Sequence, residues 1–336
     1  MSLSAALASE KARTVVLHRG LDRHPAYLAW CLVVEDGRVP ASIEILKLEK
    51  RKSAVYRLNG LGHGARSVVA KRRPAGELAD EVRLHSEFLP ALPLGSLELY
   101  GFVEEFDGFA WLFLEDAGET WYSREAPEHQ ALAVEWLGRL HAGASPGASW
   151  LPDTGPAHFR SVLDLARDGV QAGLAHTALS ESDREVLSGI LTSLWSVEEG
   201  WQRVDEMCAR MPRTLVHGDF VPKNVRVRER RGRLDLVAFD WETAGVAPPA
   251  VDIALLRGTE EDLRKYLAIV NDVWPELRPR DVEQMARIGD VFRLLHAIYW
   301  AGRSFAYEWV EHAMWNMIEY ERHLRMAVTD DRWIRG

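Results

Sequence analysis

The periodicity of the apolar residues changes once, near residue 119, and that change limits the architecture more than any single motif does. Between 42 and 116 short alternating runs recur: SIEILKLE (42–49), AVYRLNG (54–60), VVAKRR (68–73), LELYGFVEEF (97–106) and GFAWLFLED (108–116). Alternation of this kind marks half-buried strands. One helical segment interrupts them, GELADEVRLHSEFLPAL (76–92), with Leu78, Val82, Leu84, Phe88 and Leu89 near helical spacing. After 119 the pattern is helical: EHQALAVEWLGRLHAGA (128–144) sets Leu132, Trp136, Leu137 and Leu140 on one stripe. Two more helical stretches run to Met211. A β-rich interruption follows, from TLVHGDF (214–220) to FDWE (239–242), and the chain is helical again from Val251. A chain so divided predicts an α+β, bilobal fold. A small antiparallel sheet with one helix occupies 41–118, a larger and mainly helical lobe occupies 119–336, and a hinge lies near 115–119. Residues 1–40 read as a partly helical N-terminal extension, with HPAYLAWCLVVEDG (24–37) as one short helix.

Composition removes several function classes. Lys and Arg total 41 against 50 Asp and Glu, a net charge of −9. A nucleic-acid-coating protein is a poor match, because its affinity rests on cations neutralising phosphates. Cys31 and Cys208 stand far apart in no pattern, which excludes a CxxC metal site and a disulfide framework. The longest apolar run, Leu28 to Val34, is far short of the roughly 18 residues that span a bilayer, so no membrane partner is expected. Residues 1–20 carry Glu10, Lys11 and Arg13 and no apolar core, which reads as no secretory leader and a cytoplasmic location.

GLGHGA (60–65) invites a dinucleotide-loop reading, but its glycine spacing is wrong and a strand follows it rather than a helix. It reads as a hairpin turn. The block LVHGDFVPKN (215–224) followed by LDLVAFDWE (234–242) is more specific. Strand-like residues flank Arg230-Arg231-Gly232, which predicts a hairpin. Centring its turn near Gly232 sets Asn224 opposite Asp240, with cross-strand Cα atoms about 5 Å apart. An amide oxygen beside a carboxylate is a hard-oxygen half-site suited to Mg²⁺, whose other positions water and phosphate fill. Asp219 sits five residues before Asn224 and off the hairpin, where it can face a substrate hydroxyl. One carboxylate for a proton and one for a metal is what phosphoryl transfer needs.

His217–Asn224 as H-G-D-x-x-x-x-N, with a hydrophobic strand and D-x-E at Asp240 to Glu242, resembles the signature of the aminoglycoside phosphotransferase and choline kinase superfamily. These are small-molecule kinases with a protein-kinase-like fold, and the resemblance extends over about 41–260. It implies that Asp219 is the catalytic base, that Asn224 and Asp240 hold Mg²⁺, and that His217 and Gly218 shape the loop. Asp252 resembles the family's buried aspartate that braces the loop backbone, with a helix N-cap as the other reading. Glu242 is implied as an outer or second-metal group. On the nucleotide side, alternation puts Ser67, Val69 and Lys71 on one strand face. Lys71, one of only seven lysines, can reach the α- and β-phosphates as a point charge. Glu81 stands where the family's helix carries the partner glutamate, and Glu77, one turn earlier, is the runner-up. KRKSAVYRL resembles the nucleotide-positioning loop, with Ser53 as its serine; Lys50, Arg51 and Lys52 add positive charge there or form a solvated turn. FLEDAG (113–118) resembles the adenine hinge, with the backbone of Glu115 and Ala117 making the bonds.

The resemblance implies ATP-dependent, Mg²⁺-assisted transfer of the γ-phosphoryl group to a small-molecule hydroxyl. An aminoglycoside-like, antibiotic or amino-sugar acceptor leads, in a resistance role. A choline-, homoserine- or sugar-type metabolite is second. A nucleotide-binding pseudokinase scaffold is the reading from another class, against which Asp219, Asn224, Asp240 and Lys71 stand intact. Acceptor selectivity is expected between about 150 and 212 and beyond 290. Tyr299, Trp300, Phe305, Tyr307, Trp309, Trp315 and Tyr320 are interleaved there with Glu308, Glu311, Glu319 and Glu321. With Asp330, these acids could line the path of a cationic acceptor; helix packing with a solvated face is the alternative.

Overall fold

The computed structural model describes residues 15–35, 37–49, 53–144, 148–230, 232–256, 260–306 and 310–329. Lys50, Arg51, Lys52, Tyr307, Glu308, Trp309 and Asp330 lie outside the described residues. Contacts divide the chain into two compact units.

The first unit holds the described residues up to Ala91, Gly95–Trp121 and Arg226–Glu242. Its sheet is antiparallel in the order β1-β2-β3-β4-β6-β5. The strands are β1 (Val15–Leu17), β2 (Ser42–Glu49), β3 (Ser53–Asn59), β4 (Val68–Pro74), β5 (Leu99–Glu104) and β6 (Phe109–Glu115). Strand alternation builds two cores. Ile43, Leu58, Val68, Ala70, Trp111 and Phe113 face helix α1 (Pro25–Trp30) and its buried Trp30. Ala110, Leu112 and Leu114 face Leu78 of helix α2 (Ala75–Arg83).

The segment read as an N-terminal extension is therefore built into this unit. Val15 pairs with Ile45 at the sheet edge, and the helix is shorter than 24–37, with the His24 imidazole capping the Ala26 N–H. The helix expected over 76–92 is α-helical only to Arg83. It passes through a π turn, Leu84–Phe88, into a 3-10 turn, Leu89–Ala91. Pro90 lacks the N–H that an α-helix would use there. GLGHGA is the β3–β4 connection, with Gly60 and Gly64 at φ 88° and 64°. The strands Val225–Arg230 and Arg233–Ala238 form a two-stranded sheet. Residues 226–242, counted with the helical lobe in the sequence division, group by contacts with the first unit.

The second unit holds Leu92–Leu94, Tyr122–Val225 and the described residues from Thr243 onward. Its helices are α3 (Pro127–Gly143), α4 (Pro156–Gly173), α5 (Glu181–Glu199), α6 (Trp201–Cys208), α7 (Ala250–Ile253), α8 (Glu260–Val270), α9 (Pro279–Gly302) and α10 (Glu311–Thr329). Proline starts α3, α4 and α9, where its missing N–H costs nothing. Ser180 and Asp183 close a capping box on α5. Helix α9 is the spine, packed on α4, α7 and α10, while α3 packs on α8. On the α3 stripe Trp136, Leu137 and Leu140 are buried, and Leu132 is half-buried. Thr214–Val216 pairs antiparallel with Gly245–Ala247 and launches the loop that carries Asp219. Among the described residues no helix is long and apolar enough to cross a membrane.

Candidate active site

In the first unit the chemistry gathers on Lys71. It pairs with Leu112 across β4 and β6 and so shares the sheet face that α2 covers. Glu81 of α2 lies over it: Lys71 Nζ donates to Glu81 Oε2 at 2.8 Å and to Asp240 Oδ1 at 2.8 Å. The Lys71 side chain is 12% exposed and that of Glu81 only 2%. Burial alone pulls the ammonium's pKa down; the charges and hydrogen bonds of Glu81 and Asp240 outweigh it and raise the pKa. Glu77, the other candidate, pairs with Arg73 at 2.7 Å. Arg73 also takes the carboxylate of Glu242, expected to serve a metal. Asp240 is one of two non-glycine residues with positive φ among those described, at 68°. Strain of this kind persists where the surroundings impose it, often at functional sites.

Ser53 is half-buried at the first position of β3. Glu115 ends β6: its N–H donates to the Glu98 carbonyl at 2.8 Å, and its carboxylate takes Arg228 at 2.9 Å and Arg66 at 3.2 Å. Ala117 is buried with Leu97 and Val237.

In the second unit the loop 217–224 is held from beneath. Asp252, fully buried, accepts the His217 N–H at 2.7 Å and the Gly218 N–H at 3.0 Å. Its other partner is His141 Nε2 at 3.3 Å, and His141 Nδ1 meets the Tyr266 hydroxyl at 2.9 Å. Burial raises the pKa of Asp252, but His141 and His217 outweigh that and leave it lowered. Gly218 sits at φ 79°, and a Cβ there would run into the Thr243 carbonyl, so the loop requires glycine. The His217 carbonyl accepts the Thr243 hydroxyl at 3.1 Å, and His217 Nδ1 accepts the Asp219 N–H at 3.3 Å.

Asp219 is 34% exposed at the end of this scaffold. Asn224, buried on the 3-10 turn Pro222–Asn224, donates through Nδ2 to Asp219 Oδ2 at 2.9 Å and to its carbonyl at 3.0 Å. The Asn224 Oδ1 is left as an acceptor. That oxygen and the Asp240 carboxylate are hard donors, of the type Mg²⁺ takes.

The sequence assigns no role to Lys223, which contacts Asp219, or to His296 and Arg293, which feel its charge. Lys223 Nζ lies 3.0 Å from Asp219 Oδ2, four residues further along the same loop. His296 and Arg293 of α9 carry no sequence signal. Burial lowers Arg293 to about 10; the positive charge of Arg124 adds to this, and Asp219 and Asp252 oppose it. Burial likewise lowers His296 to about 4, with the charge of His158 adding and Asp219 opposing.

Residues 45–283 match the phosphotransferase enzyme family. No curated protein matches the chain in sequence. Among solved structures, the chain is similar to a point mutant of aminoglycoside 2'-phosphotransferase-IIIa in complex with GDP (TM-score 0.61, 16% identity, covering 91% of this chain and 98% of that one). Spectinomycin phosphotransferase APH(9)-Ia with ADP and spectinomycin gives TM-score 0.60 at 10% identity, again 91% and 98%. An ethanolamine kinase of Plasmodium vivax gives 0.53 at 15%, covering 90% and 87%. At these identities the likeness is one of fold, and it is the kinase-like α+β fold that the sequence predicts.

Proposed function

We propose, for a chain that belongs to the phosphotransferase enzyme family, that the hydroxyl phosphotransfer it performs uses MgATP as donor and Asp219 as base. Asp219 accepts the acceptor's hydroxyl proton and orients the oxygen toward the γ-phosphate. The observation that carries this reading is the bracing of the loop. Asp252 holds the backbone on one side of Asp219 and Asn224 holds its carboxylate on the other, so the base is placed before substrate arrives.

Asn224 and Asp240 are the proposed metal oxygens. Bound Mg²⁺ would neutralise charge on the transferring phosphates. Lys71, oriented by Glu81, is the proposed phosphate contact, with Ser53 at the phosphate loop and the backbone of Glu115 and Ala117 at the base. His217 shapes the loop through its backbone bonds. The pseudokinase reading is disfavoured by the complete Lys71–Glu81 and Asp219–Asn224 pairs.

The similar structures include complexes with spectinomycin and kanamycin as well as an ethanolamine kinase. An antibiotic or amino-sugar acceptor and a small metabolite are therefore both within the fold's range. Coupled ADP release against a panel of hydroxylated acceptors tests the reading. Acceptor-stimulated, Mg²⁺-dependent turnover supports it; nucleotide binding with no stimulation by any acceptor sinks it in favour of a scaffold.

A further inference from the structure

We propose that Tyr266 is a positioning residue for phosphoryl transfer: its hydroxyl holds the buried His141 ring neutral, with the proton on Nε2, and that ring fixes the Asp252 carboxylate beneath the loop of Asp219. The proposal rests on the reading of Asp219 as the base.

The three side chains come from three helices and none meets solvent. Tyr266 of α8, His141 near the end of α3 and Asp252 of α7 are each 0% exposed. The Tyr266 hydroxyl lies 2.9 Å from His141 Nδ1, and His141 Nε2 lies 3.3 Å from Asp252 Oδ2. Asp252 in turn accepts the His217 N–H at 2.7 Å and the Gly218 N–H at 3.0 Å. Thr214, on the strand that leads into the loop, donates its hydroxyl to the His141 carbonyl at 2.8 Å. The backbone at His141 is therefore tied to the stem of the same loop.

The protons follow from counting donors and acceptors. A backbone N–H can only donate, and two such bonds favour the ionised form of Asp252. An ionised carboxyl has acceptors alone, so the ring nitrogen that faces it, Nε2, carries hydrogen. Two arrangements remain at Nδ1. Either the bare nitrogen accepts from the Tyr266 O–H, or an N–H donates to the phenol oxygen. Burial, with the charge of Asp252 adding to it, raises the phenol's pKa, so Tyr266 keeps its proton. In the second arrangement that proton needs another acceptor. Among the described residues Tyr266 has no hydrogen-bond partner but His141, and a buried hydroxyl without an acceptor is costly. The first arrangement leaves no donor unused. Tyr266 donates to His141, His141 donates to Asp252, and the ring is neutral.

The consequence reaches Asp219. Oδ2 of Asp252 takes two donors, His141 Nε2 and the His217 N–H, while Oδ1 takes Gly218. His217 and Gly218 directly precede Asp219, whose N–H donates to His217 Nδ1 at 3.3 Å. Without the Tyr266 hydroxyl, nothing among the described residues keeps Nδ1 bare, and the adjacent carboxylate favours the imidazolium. An imidazolium bonds a carboxylate more strongly than a neutral ring does. It would draw Oδ2 toward Nε2 and away from the His217 N–H, and the base would move with the loop.

The test compares wild type with Tyr266→Phe, which removes a single oxygen from the core. Nitrogen NMR of the full-length protein, labelled in its histidine rings, reads the tautomer, with His141 identified by its loss in His141→Gln. At pH 7 the wild-type ring should be neutral and protonated on Nε2, and in Tyr266→Phe it should shift toward the imidazolium. The kcat of Tyr266→Phe should fall about 10-fold, short of the roughly 100-fold of a 1 Å misplacement, with the KM for ATP unchanged. The His217 and Gly218 amides should exchange faster with solvent, while those of α9 keep their rates. His141→Gln presents an amide that can donate to Asp252 and accept from Tyr266, so it should retain more kcat than His141→Leu. In the His141→Leu background Tyr266→Phe should lower kcat no further.

A wild-type ring that is an imidazolium, or protonated on Nδ1, overturns the proposal. So does a wild-type kcat in Tyr266→Phe, a loss confined to the KM for ATP, or a further loss in the His141→Leu background. Should His141→Leu not fold, the ring spectrum and the kcat of Tyr266→Phe decide alone. Failure of the base reading would show separately, as turnover unchanged in Asp219→Asn, and would leave the ring spectrum as it is.

Discussion

The Lys71 cluster and the Asp219 cluster are both built on buried charge, but they settle it differently. Around Lys71 one ammonium meets two carboxylates at 2.8 Å each, and the neighbouring Arg73 holds Glu77 and Glu242. Each cation there has its carboxylate partners before any ligand binds, and two cations against four carboxylates leave the cluster negative. Around Asp219 the loop backbone is braced by Asp252, yet Asp219 itself stays 34% exposed, with Asn224 and Lys223 on one carboxylate oxygen. The difference teaches where binding energy is still available. A paired cluster is rigid and exchanges partners only when a ligand displaces one. An exposed carboxylate on a braced loop is free to take a new partner without moving its backbone.

The largest expected effect falls on the braced side. Asp219→Asn should keep the fold and lower turnover by about 10²–10⁴, the usual worth of a positioned base. A variant retaining more than half of the wild-type kcat, with chemistry rate-limiting, breaks the assignment. On the paired side, Lys71→Met should leave buried Glu81 uncompensated and cost about 3–5 kcal/mol of stability, the typical loss on breaking a buried pair. A urea midpoint unchanged from wild type would show that the cluster is not held by charge. Glu81→Gln in the same background should recover part of the loss.

Asp252→Asn should cost less, about 1–3 kcal/mol, because its amide group would face an N–H in place of an oxygen. It also has a pH signature. The carboxyl's pKa is lowered in the folded state, so its stabilisation is present above the unfolded value of about 3.9 and is lost as the pH falls below it toward the folded pKa. Acid unfolding should therefore be shallower in the variant.

The smallest effect is at His296. Burial holds it at about 4, against an ordinary value of about 6.5. Between these two, the unfolded chain binds a proton that the folded chain refuses, so stability falls as the pH is lowered through that window. His296→Gln should reduce the difference between urea midpoints at pH 7 and pH 4.5. An unchanged difference would show that the ring is more open than its packing against His158 and Phe159 implies.

Much of this protein is legible along the chain because the deciding forces are local. Alternation places Lys71 on the α2 face of β4. The apolar stripe of α3 follows from helical spacing. His217–Asn224 confines carboxylate and amide to one short loop, where the chain itself keeps Asp219 and Asn224 within reach. The helical spacing of 76–92 is legible, but the end of α2 at Arg83 and the π turn that follows have no signature. Other features were decided only by tertiary packing. Glu81 and Glu77 are equivalent to a reader of helical periodicity, and the position of α2 over β4 gives one to Lys71 and the other to Arg73. Lys71 and Asp240 meet from 169 residues apart. The chain from Tyr266 through His141 to Asp252 joins three helices, brought together by the packing of α3 on α8 and of α7 on α9. Periodicity reports which face of an element is buried. Whether a charge on that face finds its opposite depends on which element packs against it, and that is set by the fold as a whole.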